Sequence, residues 1–511
     1  MFRSLLRNTG YALVFIGFFF LHGVNEYPGL IPYSVLSSLF LKYVLIAVGI
    51  TLFSGLLFRK EQHAFLFGLL LLTFYFFFGS IHDGIKSIAP EGFFRTYRFF
   101  LPLMAIVTFG VFLLLWFRKP AALNPTRYFR YLLLLFLLIE SGTAAWHLWK
   151  PAVAENDIAG DVSKLMLAPE AGPGGPAPDV FFIVLDEYAS SASLKQEFNY
   201  DNSALDSMLR SNQFFISGAS RSNYNVTPFS LASTFSMDYL EKVNAGDVLT
   251  SKKFVQAMET YRNNRILSYF RGKQYQIRNF GCFDVKGAEL ETIPFFVYAY
   301  PKLIDDRTAW PRLKREVGWH FTMNDLFGNG FRIPENFRQT KEIDLNRNKY
   351  NFSSLLREMQ RESASPRFVI AHLLLPHEPF YLHADGSEVS DTLLVKGGID
   401  EKKAYLEQVQ YTNRLLAQLM PYVAPKGQRP RVVIIEGDHG YRSFGGGNAS
   451  AKEFPNLNAY YFSDGDHARL YDGISPVNSF RVVLNKYFRQ KLPMLKDSSV
   501  YIVNPSGSLE K

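Results

Sequence analysis

The stretch "RVVIIEGDHGY", Arg431 to Tyr441, joins two kinds of sequence. Val432 to Ile435 is an apolar, β-branched run, which is typical of a buried strand. Directly after it come an acidic pair, an imidazole and two glycines, in "EGDHG". A carboxylate and an imidazole at the carboxyl end of a strand, beside glycines that free the backbone, suit a metal site in an α/β fold. An ordinary turn has the same pattern, so this stretch alone leaves both interpretations open.

Two other apolar stretches also end in chemically useful side chains. "DVFFIVLDEY", Asp179 to Tyr188, ends in Asp186 and Glu187, and "FVIAHLLLPHEPF" ends in His377 and Glu378. Helical patterns lie between these stretches. Apolar strands that alternate with helices predict a mainly parallel sheet covered on both faces, in which ligands bind at the carboxyl ends of the strands. The sequence therefore predicts an α/β domain with one site at that edge.

The amino-terminal part of the chain has the composition of a membrane domain. Of the 511 residues, 16% are aromatic and 48 are Phe, and these concentrate near the amino end. Five apolar runs each approach the ~20 residues that a bilayer-spanning helix needs. The runs are Asn8–Val24, Val35–Phe58, Ala64–Ser80, Phe99–Phe117 and Tyr131–Trp149. The sequence thus predicts a bundle of five transmembrane helices in residues 1–150.

The orientation of this bundle follows from the basic residues in its short loops. Eight lie on the side of the amino terminus and three on the other side. The eight are Arg3, Arg7, Arg59, Lys60, Arg118, Lys119, Arg127 and Arg130, and the three are Lys86, Arg95 and Arg98. We therefore expect a multi-pass protein of the cytoplasmic (inner) membrane, with its amino terminus in the cytoplasm. After an odd number of spans, the rest of the chain lies in the periplasm or another extracytoplasmic space.

Residues 151–178 are rich in Pro, Ala and Gly and have no periodicity, which predicts a linker. Residues 179–511 are long enough to bury a sizeable core and form the predicted catalytic domain. The only cysteine, Cys282, cannot form an internal disulfide, so stability must come from packing. The net charge of +9 fits cytoplasmic loops and a face that meets lipid headgroups. No aromatic-basic motif for nucleic acid is visible, so nucleic acid is excluded as a partner.

A fourth candidate is Thr227 in "SRSNYNVTPFSLAS", just ahead of a helix-like segment. A hydroxyl near a helix amino terminus has backbone N–H groups nearby to hold an anion, so this Thr is well placed to attack phosphorus. Thr is also one of the common helix N-cap residues, and local chemistry favours that interpretation. Both interpretations stay open at this stage.

The order of these motifs resembles that of the alkaline phosphatase and sulfatase superfamily, from Asp179 to about Phe488. The preceding spans make the chain similar to its membrane-anchored branch, which includes lipoteichoic acid synthases and phosphoethanolamine transferases. The resemblance implies that Asp186, Asp438 and His439 bind metal and that Thr227 is both nucleophile and metal ligand. It also implies that His377, in "PHEPF", faces the substrate.

The chain also departs from that pattern at several positions. Thr227-Pro228-Phe229 lacks the Cys or Ser and the Arg of the sulfatase signature, which disfavours sulfate ester hydrolysis. One Cys cannot supply the disulfides of the phosphoethanolamine transferases. Lipoteichoic acid synthases have Glu where this chain has Asp186, so Glu187 is a possible alternate ligand. His467 is the spare candidate for a second metal, although a lone imidazole is more often structural.

These residues predict one divalent metal ion, zinc or manganese, with a second ion not favoured. Metal-activated Thr227 would attack a phospholipid phosphodiester and retain the headgroup as a phospho-threonine. His377 would protonate the leaving oxygen or bind phosphate, and Arg442 would neutralise charge. The favoured function is therefore a transferase that moves a phosphoglycerol or phosphoethanolamine type headgroup from a membrane phospholipid donor to an envelope glycan or lipid acceptor.

Two alternatives to the transferase remain. A membrane-anchored phosphodiesterase, phosphatase or other sulfatase-like hydrolase would use water in place of the acceptor, and a binding module would have no activity. Within the fifth span, Glu140 is either functional or a structural residue hydrogen-bonded to another helix, and we favour the structural role.

Overall fold

In the computed structural model, the described residues are 2–90, 92–117, 125–149, 158, 176–292, 299–316, 333, 335–424, 427, 429–442 and 449–504. The chain divides into two compact units. The first comprises Met1–Asn156 and Tyr298–Phe331, and the second comprises Asp157–Val297 and Arg332–Lys511. The predicted linker, 151–178, lies outside the described residues except for Ile158 and 176–178.

The helices of the first unit before residue 150 are Phe2–Glu26, Tyr33–Leu57, Glu61–Phe76, Phe78–Ile88, Tyr97–Phe117 and Pro125–Trp149. Among the described residues, four of them are long and apolar enough to cross a membrane. Glu61–Phe76 and Phe78–Ile88 form a pair bent by 70°, and counting the pair as one span gives five. The predicted third span is thus a broken helix, and the structure supports four to five spans.

Aromatic side chains fill the interior of this bundle. Phe19 contacts Phe76 at 4.9 Å and Tyr43 at 5.6 Å between ring centroids, and these three residues are almost fully buried. Offset and edge-to-face ring contacts of this kind add to the dispersion attraction that holds helices together in lipid. Lipid tails are as apolar as the helix surfaces, so no hydrophobic driving force favours helix association there. The high Phe content of the amino-terminal part therefore has a packing role.

Two short helices from the middle of the chain, Ala299–Asp305 and Ala309–Glu316, belong to the first unit. Three charged pairs hold them to the bundle. Asp305 pairs with Lys42 at 2.7 Å, Arg307 pairs with Glu26, and Arg312 pairs with Asp83 at 2.5 Å. Both helices come from residues 179–511, the predicted catalytic domain.

The second unit contains a six-stranded sheet. Its strands are β1 Asp179–Leu185, β2 Phe215–Ile216, β3 Gln276–Phe280, β4 Arg367–Leu373, β5 Arg431–Gly437 and β6 Asn458–Phe462. Their order in the sheet is β2-β6-β5-β1-β4-β3. The four strands β3, β4, β1 and β5 are parallel, whereas β6 is antiparallel to β5 and β2 is antiparallel to β6. The predicted mainly parallel sheet is confirmed, with a mixed edge that the sequence did not indicate.

Helices cover both faces of this sheet. The longer ones are Ser191–Phe198, Ser203–Ser211, Thr227–Ser236, Ser251–Arg262, Arg265–Gly272, Glu335–Gln360, Glu401–Leu419 and Pro476–Tyr487. Phe182 of β1 packs against Phe235 and Phe480 on one face, at 5.0 and 5.2 Å. Every residue of β1, β4 and β5 is buried, as a parallel sheet between two helical layers requires. The carboxyl ends of these three strands therefore meet at one edge.

Candidate metal centre

Three acidic or imidazole side chains converge at this edge. Asp186 follows β1, and Asp438 and His439 follow β5, the strand beside β1. One ligand atom from each lies within 4.8 Å of the others, and all three residues are at most 1% exposed. The chain thus brings together the three residues that the motifs had assigned to a metal.

The hydrogen bonds around this cluster suit a cation. His439 Nδ1 donates to the carbonyl of Gly440 at 2.8 Å, which leaves the lone pair of Nε2 directed at the acids. Asp438 Oδ1 accepts from the backbone N–H groups of Glu187 and His439, both at 3.0 Å. Its Oδ2 is buried, lies 3.4 Å from His439 Nε2, and has no hydrogen-bond partner within the described part of the chain. Two carboxylates and a neutral imidazole form a ligand set that fits zinc or manganese.

The electrostatics agree with this interpretation. Burial raises the pKa of Asp438, because a carboxylate away from water loses its hydration. Burial, with a smaller effect of the Arg442 charge, lowers the pKa of His439 well below its usual value. His439 is therefore neutral at pH 7, the form that binds a metal ion.

Thr227 begins the helix Thr227–Ser236, and its hydroxyl faces the cluster. The N-cap residue is Val226, and no side chain caps this helix end. Thr227 Oγ1 instead lies 3.3 Å from His439 Nε2, and the residue is 2% exposed. The N-cap interpretation of Thr227 is therefore wrong. The hydroxyl lies with the three candidate ligands, at a helix end whose dipole favours an anion.

His377 and Arg442 form a pair beside this cluster. His377 Nδ1 donates to the carbonyl of Glu378, so its Nε2 accepts from Arg442 Nη2 at 2.7 Å. Burial and then the Arg442 charge lower the pKa of His377 well below its usual value. His377 is therefore neutral at pH 7, and the positive charge of the pair is on Arg442.

Among the described residues, the metal cluster does not include Glu187. Its carboxylate Oε1 accepts from the backbone N–H of Arg442 at 2.8 Å, and burial raises its pKa to about 8. Its backbone has a φ of 65°, and its N–H bonds to Asp438. Asp186, and not the alternate Glu187, provides the ligand atom within the cluster.

His467 lies near the amino end of β5, opposite to the end that carries the metal cluster. Because β6 is antiparallel to β5, Phe462 at the end of β6 pairs with Val432 near the beginning of β5. His467 follows shortly after, with its ring 5.6 Å from that of Phe462. Asp438 follows the opposite end of β5, so the hypothesis of His467 as a second metal ligand is wrong.

One residue of the site was not predicted from the sequence. His372, within β4, lies with Nε2 3.0 Å from Asp186 Oδ2, and burial lowers its pKa to about 4. The sequence did carry a signal, since a histidine in the middle of an apolar strand needs a polar partner. Its partner depends on the pairing of β1 with β4, where Val184 lies opposite His372.

No protein-family model and no curated protein matches this chain. Solved structures do match. Lipooligosaccharide phosphoethanolamine transferase A from Neisseria meningitidis, an integral membrane protein, is 13% identical, with 96% of each chain covered and a TM-score of 0.38. The periplasmic domain of EptC from Escherichia coli, in complex with zinc, is 12% identical over 66% of this chain and 91% of that chain, with a TM-score of 0.39.

A putative sulfatase from Bacteroides fragilis is 12% identical over 63% of this chain and 76% of that chain, with a TM-score of 0.38. The similar structures therefore include phosphoethanolamine transferases and sulfatases.

Proposed function

We propose that this chain is a metal-dependent transferase of phospholipid headgroups. It moves a phosphorus-containing headgroup, of the phosphoethanolamine or phosphoglycerol type, from a membrane lipid to an envelope glycan or lipid. The catalytic unit lies outside the cytoplasm in this proposal, and the amino terminus lies inside. The four to five apolar helices of the first unit support membrane attachment, which keeps the enzyme in the same bilayer as its donor.

The observation that carries the proposal is the position of the Thr227 hydroxyl. Its Oγ1 lies 3.3 Å from the Nε2 of His439, and that nitrogen belongs to the three-residue ligand cluster. Asp186, Asp438 and His439 would hold a divalent ion, and such an ion would supply the positive charge that favours ionisation of a neighbouring hydroxyl and polarisation of a phosphoryl group. Thr227 is the hydroxyl in the right place to become a nucleophile.

The reaction then has two displacements at phosphorus. In the first, Thr227 Oγ forms a bond to phosphorus while the bond to the diacylglycerol oxygen breaks; the threonine proton passes to solvent and the leaving oxygen takes one up. In the second, an acceptor hydroxyl replaces Thr227 and restores its hydroxyl. The phospho-threonine between the two steps carries the headgroup.

Arg442 and His377 act on the phosphoryl group and not on the proton. Arg442 carries a fixed positive charge next to the cluster, which suits the oxygens of a phosphodiester. His377 accepts a hydrogen bond from the Arg442 guanidinium at 2.7 Å and thereby orients it. Loss of His377 therefore weakens phosphate binding through Arg442.

The test uses the purified full chain in lipid nanodiscs. Phosphatidylethanolamine or phosphatidylglycerol with a labelled headgroup is supplied, with and without extracted envelope glycans. We expect label to leave the lipid and appear on the acceptor in the wild type and not in Thr227→Ala. Thr234→Ala is the matched control, because Thr234 is a buried threonine of the same helix whose hydroxyl faces Glu436.

Each outcome decides between the candidate functions. Label that appears only as free phosphorylated headgroup, with every acceptor tested, identifies a hydrolase. Undiminished transfer by Thr227→Ala refutes the covalent mechanism. Release of label by neither wild type nor control refutes the proposed function.

A further inference from the structure

The single cysteine of the chain belongs to a buried row of side chains that ends at the metal cluster. Cys282 lies just after β3, His372 lies in β4, and Asp186 follows β1, so the row crosses three adjacent parallel strands. Cys282 Sγ is 2.9 Å from His372 Nδ1, and His372 Nε2 is 3.0 Å from Asp186 Oδ2. These residues are at most 3% exposed, so water does not compete for these contacts.

The direction of each hydrogen bond follows from the chemistry of the groups. A metal-binding Asp186 is ionised and only accepts, so the proton on His372 must be at Nε2. Nδ1 then carries a lone pair and needs a donor. Within the described residues, the Cys282 thiol is the group placed to donate to it. Burial raises the pKa of Cys282 well above its usual value, which keeps the proton on sulfur.

The backbone around this row is also fixed. Asn279 donates from Nδ2 to the carbonyl of Phe283 at 3.0 Å and accepts from the N–H of Gly281 at 3.1 Å, which defines the turn that carries Cys282. Asn351 donates to the carbonyl of His372 at 3.0 Å. The thiol and the imidazole therefore have little freedom to seek other partners.

We propose that Cys282 and His372 are positioning residues of the metal centre. The thiol fixes the tautomer and ring orientation of His372, and His372 in turn holds Asp186 Oδ2, which directs Oδ1 at the metal. Asp186 Oδ1 is the carboxylate oxygen on the side of His439, 3.8 Å from its Nε2. Because both ring nitrogens of His372 are engaged, His372 orients a ligand and is not itself one. This inference rests on the metal-dependent function proposed above.

The positioning role can be tested by measuring metal affinity, without a measurement of turnover. Removal of a hydrogen-bond partner behind a ligand typically weakens metal affinity by about 10- to 100-fold. The metal-free full chain is titrated with Zn²⁺ and with Mn²⁺ against a competing chelator. We expect Cys282→Ala to bind about tenfold more weakly than wild type, and Cys282→Ser, which keeps a donor, to stay within about threefold.

Variants of His372 give an independent reading. His372→Gln keeps an N–H that reaches Asp186 and should bind metal more tightly than His372→Ala, which we expect to lose about 100-fold. The melting temperature of each metal-free variant is recorded as the measure of folding. If Cys282→Ala does not fold, the comparison of Cys282→Ser with wild type and of His372→Gln with His372→Ala still tests the row.

The outcomes separate this inference from the proposed function. Equal affinity of wild type, Cys282→Ala and Cys282→Ser overturns the positioning role and leaves the metal centre intact. Equal weakening by Cys282→Ala and Cys282→Ser shows that the thiol has a packing role only and also overturns it. A wild-type chain that binds neither ion refutes the proposed function and this inference together.

Discussion

Two acidic residues, one in each unit, are held in opposite ways. In the first unit, Glu140 Oε2 accepts from Asn25 at 2.7 Å, and its Oε1 lies 2.9 Å from His22 Nδ1. In the second unit, Asp438 uses only Oδ1 for hydrogen bonds, and its buried Oδ2 has no hydrogen-bond partner among the residues described. Glu140 lies within the helix Pro125–Trp149, and Asp438 directly follows the buried strand β5.

This difference in hydrogen bonding distinguishes a structural carboxylate from one that is placed to bind a cation. A buried polar atom without a partner costs free energy, so a fold keeps one only where something else compensates. Glu140 is fully partnered inside the helix bundle, which agrees with the structural role predicted for it. For Asp438, the proposed metal ion would compensate the free-energy cost of the buried Oδ2.

The largest expected effect is that of removing the charge of Asp438. We expect Asp438→Asn to lose bound metal and headgroup transfer by at least about 10³-fold, because the ligand and the activation of Thr227 disappear together. With metal present, the wild type should gain about 2.7 kcal/mol at a metal concentration of 100 times Kd, and the variant should gain almost none. Elemental analysis, transfer assays and thermal melting check these three effects.

The metal-free proteins sharpen the comparison further. Metal-free Asp438→Asn should melt at or above the metal-free wild type, because the uncompensated carboxylate is gone while Oδ1 still accepts its two hydrogen bonds. A metal-free variant that melts well below the metal-free wild type would show that the charge itself stabilises the fold.

The next effect concerns Glu140 and should be on stability alone. Glu140→Ala removes the carboxylate that His22 Nδ1 and Asn25 Nδ2 contact, at an expected cost of about 2–4 kcal/mol. Glu140→Gln keeps one acceptor and should cost about half of that. Both variants should retain turnover within about twofold once folded. Melting in nanodiscs and transfer assays measure both properties, and a folded but inactive Glu140→Gln would make Glu140 functional.

A third acid, Glu436, gives a smaller and pH-dependent effect. Burial raises its pKa from 4.5 to about 8, and its Oε2 accepts a long hydrogen bond from Ser479 at 3.3 Å. The folded chain therefore binds this proton more tightly than the unfolded chain. Its contribution to stability is complete below about pH 4.5 and declines as the pH rises to about 8.

Glu436→Gln should remove this decline. The free energy of unfolding of the metal-free chain should fall less steeply between pH 5 and 8 than in wild type, by about 1.4 kcal/mol per pH unit. Chemical denaturation at several pH values within that window measures the slope. Identical slopes in variant and wild type would mean that Glu436 is ionised throughout.

Local sequence pattern was sufficient to predict the convergence of the candidate ligands. Apolar runs ended by acids identify β1 and β5, and the rule that parallel strands share a carboxyl edge then brings Asp186 to Asp438. The role of His372 could not be predicted in this way, because it depends on the register of β4 against β1. The partnership of Cys282 with His372 needs the register of β3 as well.

Long-range contacts also explain the other differences from prediction. No proline in the sequence marks the helix break at Phe77. The break coincides with a hydrogen bond from the Gly79 N–H to the Arg307 carbonyl at 2.8 Å. Arg307 is 228 positions away in the sequence. The antiparallel β6, which excludes His467 from the site, is likewise set by pairing and not by local composition.

The most direct test of the account is to find the headgroup on Thr227. The wild-type chain in nanodiscs is mixed with donor phospholipid, without acceptor, and acid-quenched at intervals for peptide mass spectrometry. The account predicts a phosphoethanolamine or phosphoglycerol adduct on the peptide containing Thr227, which disappears when acceptor is added. Two results would contradict the account. One is an adduct on a different residue. The other is turnover without any adduct in the wild type, together with full activity of Thr227→Ala.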